Sequence, residues 1–382
     1  MNRFAYICAD SGIPVPGHKG SSNHVRNVCR ALRALGLSGT VFARRSSGDE
    51  LEGCRLVALG GEAPGGEVDQ FLARPGVFPS AGEFDFVYER YSLWHVEGLA
   101  WARRMGIPFV LEVNSPLPEE ARTYRDLGHS RLAEGVAEVL LREADGVVCV
   151  SGEVAEWVAR YRTKPGGLWI VPNGVDEKEF SPELPAIRAP FECATGPVIG
   201  FAGSFRPWHG VDAVLDVLAG SPELAGSRPR LLCVGDGPGR TRFEAKAKES
   251  GLAARIHTTG FVPQPDVAAW LNGCDLAVAP YEPRAGFYFS PLKVFEFMAL
   301  GLPVVAADIG QLSEILGDDR GWLYRPGETD SLAVAMADVL ANEDEARDRA
   351  DRARQWVLAS ATWSHRVRSI LERVDTMKAS YA

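Results

Sequence analysis

The sequence has no run approaching the ~18–20 apolar residues that span a bilayer, so it offers no candidate transmembrane helix. An excess of basic residues is also missing. Lys and Arg total 41 against 50 Asp and Glu, a formal charge of −9, which argues against nucleic acid as a partner. The seven cysteines form no C-x-x-C pair, and Cys8, Cys149 and Cys233 fall inside apolar runs, so they read as small buried hydrophobes of a reducing, cytoplasmic protein. There is no Asp-x-Asp, H-E-x-x-H, G-x-S-x-G or Cys/His array, hence no basis for metal-centred or serine-nucleophile chemistry. The N-terminus, MNRFAYICADSG, has too short an apolar run for a secretory signal and reads as a first strand. Lysine is scarce beside arginine, so a lysine in apolar surroundings stands out.

What is present is a βαβ rhythm that runs twice. Strands are expected near Phe4–Ala9, Thr40–Ala43, Arg55–Leu59, Phe84–Tyr88, Pro108–Val113 and Gly146–Val150, with helices at Ser22–Leu35, Leu93–Met105, Glu119–Arg142 and Glu153–Tyr161. After a proline-rich break the rhythm restarts with strands at Val198–Ala202, Arg230–Val234, Ile256–Thr259, Leu276–Pro280, Pro303–Ala306 and Trp322–Tyr324, and the segment from Asp330 is helical. The expected fold is therefore α/β: two doubly wound parallel-sheet domains, at 1–175 and 197–362, joined by a linker at 176–196, with a C-terminal helix at 363–382 packing back on the first. Two such sheets imply a cleft, with ligands at the carboxyl ends of the strands.

The most informative stretch is Gly286–Ala306, GFYFSPLKVFEFMALGLPVVA. Ser290 before Pro291 predicts a capped helix start, and Gly301 with Pro303 a stop. Val294, Phe295, Phe297 and Met298 make the helix largely buried, yet it carries Lys293 and Glu296, one turn apart. A lysine beside a helix N-terminus makes an anion site suited to phosphate, and a carboxylate one turn on can accept from paired hydroxyls. The plain alternative is a self-neutralising Lys–Glu pair.

Two further loops follow strands. SGIPVPGHKGSS places Gly20 and Ser21 at a helix start, with His24 on that helix as a structural or functional histidine. SFRPWHG places Gly203, Arg206 and His209 after a strand, where Arg206 could neutralise a diphosphate or be solvated. CVGDGPGR does not fit G-x-G-x-x-G and reads as turn chemistry, which makes a dinucleotide dehydrogenase remote. In the first half Glu89, Arg90, Glu112 and Asn114 stand at strand ends, with Asn114 the best placed to touch a substrate hydroxyl and Glu89–Arg90 readable as a neighbouring ion pair.

In order and spacing, GHKGSS, VPNGVD, GSFRPWHGVD, VGDGPGR, TGFVPQPDV, CDLAVAP and SPLKVFEFMALGLPVVA resemble the GT-B glycosyltransferases of retaining family 4 across nearly the whole chain. The resemblance implies a nucleotide-diphosphate sugar as co-substrate, a hydroxyl-bearing acceptor on the N-terminal domain and no metal requirement. It implies that Glu296 holds the ribose hydroxyls, that Lys293 and the helix start, Tyr288–Phe289–Ser290–Pro291–Leu292, hold the diphosphate and sugar, and that Gly260, Phe261 and Val262 border the base. Gly20, Ser21, Gly203, Arg206 and His209 approach the phosphates. Asn114, Lys293 and Arg206 are the implied catalytic set, and His24, Glu89, Arg90 and Asn114 face the acceptor.

The chain departs from the family pattern in three ways. Tyr288 stands where the first of two glutamates is usual, Ser204 and His209 replace an arginine and a lysine, and LEVNSP lacks a histidine. The first departure motivates an alternative, a GT-B-shaped sugar-nucleotide binder without catalysis. Donor base, sugar, acceptor and oligomeric state are not legible in the sequence.

Overall fold

The computed structural model describes residues 1–60, 78–79, 84–124, 126–164, 166–187, 196–284 and 286–378. The chain divides into two compact units, one of Met1–Asn173 with Tyr288–Ser290 and the C-terminal helix, the other of Gly174–Phe287 with Pro291–Thr362.

In the first unit, strands β1 (Arg3–Cys8), β2 (Ser38–Ala43), β3 (Cys54–Ala58), β4 (Phe86–Arg90), β5 (Phe109–Val113), β6 (Gly146–Cys149) and β7 (Leu168–Ile170) form a parallel sheet. Its order is β7-β6-β5-β4-β1-β2-β3, with the short strand Glu50–Leu51 antiparallel at one edge. The central strands are apolar on both faces, as a sheet covered by helices on both sides requires. Helices α1 (Gly20–Ala34), α2 (Glu97–Met105), α3 (Leu117–Tyr124), α4 (Ser130–Glu143) and α5 (Gly152–Ala159) connect them. The core gathers Ile7, Phe42, Trp101, Phe109, Leu140 and Trp157. Winding reverses between β1 and β4, the topological switch point where open α/β sheets bind ligands.

Several elements of this unit differ from expectation: the short strand Glu50–Leu51 was not foreseen, and the helix expected from Leu93 begins at Glu97. The single helix over Glu119–Arg142 is two helices, α3 and α4, because Asp126, Leu127 and Gly128 leave helical geometry between them. Strand β7 was not expected; three residues are too few to show a period, and it forms because Trp169 lies against Gly146, whose missing side chain leaves room for the indole.

The second unit repeats the plan. Strands β8 (Val198–Ala202), β9 (Arg230–Val234), β10 (Ile256–Thr258), β11 (Leu276–Ala279), β12 (Val304–Ala307) and β13 (Trp322–Tyr324) are ordered β10-β9-β8-β11-β12-β13, all parallel, and reverse between β8 and β11. Helices α6 (Val211–Gly220), α7 (Arg240–Glu249), α8 (Gln264–Leu271), α9 (Leu292–Ala299), α10 (Leu312–Leu316), α11 (Thr329–Ala341) and α12 (Glu343–Ser360) follow. The helix expected from Pro291 starts one residue later. Pro291 is the cap position in extended geometry, and Ser290, expected as the cap, instead accepts from the Asn173 N–H at 3.0 Å.

The C-terminal helix, Trp363–Lys378, packs on α1: Trp363 meets the His24 ring edge-on at 4.9 Å, and Val367, Ile370 and Val374 are buried. Among the described residues no helix is long and apolar enough to cross a membrane.

Candidate functional site

In the second unit the site forms where the sheet reverses, between the loop after β8 and the start of α9. Lys293 is 9% exposed, and its ammonium has no hydrogen-bond partner. It sits 4.5 Å from the centre of the Phe201 ring and 5.2 Å from that of Tyr281. Burial drives its pKa down to about 7, against the opposing pull of Glu296. His209 lies in the same place: a side chain on Gly203 would start 2.8 Å from His209 Nδ1 and 2.9 Å from Lys293 Nζ. Burial, then the charges of Lys293 and Arg206, push His209 down to about 2, so its ring is neutral at physiological pH and its Nδ1 is also unpartnered.

This arrangement can accept an anion. At the start of α9 the Val294 N–H turns back onto the Pro291 carbonyl at 3.2 Å, while those of Leu292 and Lys293 open the helix, the positive end of its dipole lies beside Lys293, and a partnerless buried ammonium is satisfied by an arriving negative charge. One turn along, Glu296 accepts from Gln264 at 3.2 Å. Gly260, in left-handed geometry with φ +72°, bridges to Gly235, and the adjoining Phe261 is 57% exposed beside half-buried Val262. Arg206 is exposed and lies 5.8 Å from the Trp208 ring.

The VGDGPGR turn has a function that its sequence did not disclose. Side chains on Gly235, Gly237 and Gly239 would come within 2.2 Å of the Gly203 oxygen, 1.6 Å of the Ser204 oxygen and 2.3 Å of the Phe205 oxygen. The three glycines thus seat their backbone against the loop after β8, and they hold Phe205 buried at φ +49°, a strained value for a residue with a side chain. Gly210 is fixed similarly, its missing side chain occupied by the Pro280 oxygen at 1.7 Å. Tyr281 and Phe201 were also missed, since in the sequence they read as ordinary strand and loop residues.

The remaining candidates belong to the first unit. Gly20 and Ser21 form the first turn of α1, and no side chain caps it. Tyr288 and Phe289 join the apolar core, with the Tyr288 hydroxyl donating to Glu120 at 3.2 Å. His24, Arg90 and Asn114 converge on buried Glu112: His24 Nε2 at 2.6 Å, an Arg90 nitrogen at 3.0 Å, and the Asn114 amide donating to the same oxygen. Burial would raise the Glu112 pKa, but these partners outweigh it and hold it at about 2.

Glu89 and Arg90 do not form the neighbouring pair that their sequence allowed. Adjacent strand residues point to opposite faces, and fully buried Glu89 pairs instead with His95 Nδ1 at 2.8 Å. His95 had no sequence signal beyond its residue type. Among the described residues no cluster of His, Cys, Asp and Glu could hold a metal ion.

Two family models match the chain. Residues 18–179 match "Glycosyltransferase Family 4" and residues 196–342 match "Glycosyl transferases group 1". The chain belongs to the family 4, group 1 glycosyltransferases. This family-4 enzyme is 23% identical to D-inositol 3-phosphate glycosyltransferase from Jonesia denitrificans, over 97% of this chain and 95% of that protein. It is 28% identical to 2-deoxystreptamine glucosyltransferase from Streptomyces kanamyceticus, over 69% of this chain and 71% of that one. Sucrose-phosphate synthase from Thermosynechococcus elongatus superimposes over the full length of both chains with a TM-score of 0.79 at 21% identity, a likeness of GT-B fold. As a glycosyltransferase of this type, the chain uses a nucleotide-sugar donor.

Proposed function

We propose that this glycosyltransferase moves a hexosyl group from a nucleotide-diphosphate sugar to an acceptor hydroxyl with retention of configuration and without a metal ion. The observation that carries the reading is Lys293, a buried ammonium without a partner beside a helix N-terminus. In this reading Lys293 and the first N–H groups of α9 hold the diphosphate, Glu296 accepts from the ribose hydroxyls, and Gly260–Val262 border the base. Arg206 and neutral His209 flank the phosphates, and Pro291 and Leu292 border the sugar.

As the glycosidic bond breaks, negative charge grows on the leaving phosphate. Lys293 and the helix end stabilise that charge more in the transition state than in the ground state. The leaving oxygen takes the acceptor's proton on the same face of the sugar, so no separate base is needed.

The test is a panel of UDP-, GDP-, dTDP- and ADP-hexoses in a thermal-shift assay, where a donor at 100 times its dissociation constant adds about 2.7 kcal/mol of stability. Turnover of the stabilising donor is then followed by NMR of the product's anomeric proton, with and without EDTA. An inverted product or loss of activity in EDTA overturns the mechanism. Failure of every nucleotide to bind overturns the site.

A further inference from the structure

A cavity of about 220 Å³ opens at the switch point of the first sheet, beyond the carboxyl ends of β1 and β4 and beside α3. It is smaller than the ~300 Å³ at which drug-sized pockets begin, so it suits a single ring rather than a glycan chain. Its polar lining includes Asp10, Ser11, Arg44, Ser92, His95 and Asp126, with Glu120 beside them.

Two of these point to a ligand. Ser92 is 3% exposed and His95 4%, and neither Ser92 Oγ nor His95 Nε2 has a hydrogen-bond partner. Buried polar atoms are rarely left so. Fully buried Glu89 fixes the His95 ring through Nδ1, which leaves Nε2 for whatever enters. A hydroxyl, which both donates and accepts, satisfies Nε2 in either protonation state and satisfies Ser92 as well.

The charges give the rest of the ligand. Among the described residues, Asp10, Glu120 and Asp126 line the cavity with the guanidinium of Arg44, whose Nε is already donated to the Ala9 carbonyl at 3.1 Å. Asp10 accepts from the Gly12 N–H at 2.7 Å and Glu120 from the Tyr288 hydroxyl at 3.2 Å, so part of each carboxylate is engaged. The balance still favours a cation and repels a phosphate.

We propose that this cavity binds the acceptor and selects an amine-bearing polyhydroxylated ring, its hydroxyls on His95 and Ser92 and its ammonium facing Asp10 and Asp126. The inference rests on the transferase reading above, but its binding can be measured without a donor.

Three six-membered carbocycles make a charge series: 2-deoxystreptamine, myo-inositol and D-inositol 3-phosphate. Each is titrated calorimetrically into the full chain. The diamine binds at least tenfold more tightly than the neutral ring, and the phosphate most weakly. Asp10→Asn and Asp126→Asn each weaken the diamine about tenfold and spare the neutral ring, as loss of one charge-assisted contact should. His95→Ala weakens the diamine and the neutral ring together, with circular dichroism checking that each variant is folded.

Preference for the phosphate, no heat from any of the three, or a charge ranking indifferent to Asp10→Asn and Asp126→Asn would overturn the proposal. Nucleotide binding is read on the same preparation. If nucleotide binds and the diamine does not, this inference alone fails; if the diamine binds and no nucleotide does, the donor-site reading alone fails.

Discussion

The carbonyl oxygen of Ser204 stands 1.6 Å from where a side chain on Gly237 would begin. The turn after β9 and the loop after β8 therefore share one backbone surface, and the loop after β8 owes its position to glycines that follow it by about 30 positions. Gly237→Ala should cost about 1–3 kcal/mol as an overpacked contact. It should weaken nucleotide binding as well, since the loop must retreat. Paired measurement of melting temperature and nucleotide affinity checks this, and an unchanged affinity would separate the turn from the site.

Lys293→Met should lower kcat/KM by at least 100-fold, about 2.7 kcal/mol of transition-state stabilisation, in line with the loss of one charge-stabilising group. The same change should stabilise the protein in the absence of nucleotide. The folded pKa of about 7 lies below that of an ordinary lysine, so the buried charge costs stability fully below pH 7, and the cost vanishes as pH rises towards the unfolded value of about 10.4. Melting curves of both proteins should diverge most at pH 6 and converge by pH 10.

Binding of a diphosphate restores the Lys293 proton. Between pH 7.5 and 9 nucleoside diphosphate binding should therefore take up protons from solution and weaken as pH rises, to an extent tempered by the nucleotide's own titration. Calorimetry in Tris and in HEPES, whose ionisation enthalpies differ, gives the number of protons. Lys293→Met should bring that uptake close to zero.

Glu112 has the opposite sign. Its folded pKa of about 2 lies below an ordinary carboxylate, so its stabilising contribution is full above about pH 4.3 and is lost as pH falls towards 2. Glu112→Gln, which leaves Arg90 without its counter-charge, should cost about 3 kcal/mol at pH 7. Urea midpoints at pH 7 and pH 3 should show the gap between wild type and variant narrowing with acid.

Glu296→Gln should raise KM for the donor more than it lowers kcat, because the ribose lies away from the bond that breaks; about tenfold in KM corresponds to one charge-assisted hydrogen bond. Steady-state kinetics with saturating acceptor reads the split.

Strand positions were legible because parallel strands buried on both faces leave unbroken apolar runs: Val198–Ala202 and Arg230–Val234 are strands at the residues expected. Lys293 was legible for a related reason, a charge where burial was otherwise indicated. What escaped depends on encounters that the local sequence does not encode. Ser290 looked like a helix cap, but its oxygen is claimed by Asn173, 117 positions away. Gly235, Gly237 and Gly239 read as a turn because their partner backbone lies some 30 positions earlier. Glu89 was legible as a polar strand end, whereas its pairing with His95 required the loop between them to bring the ring back under the sheet edge.

The C-terminal helix lies against α1, yet residues 174–362 stand between Asn173 and that helix in the chain. A ribosome therefore releases the first sheet and α1 well before it has made Trp363, and the face of α1 carrying His24 must wait, uncovered, while the whole second unit is translated. Completion of the first unit is thereby tied to synthesis of the second, and a nascent chain arrested anywhere before Trp363 exposes the apolar surface that a chaperone would recognise.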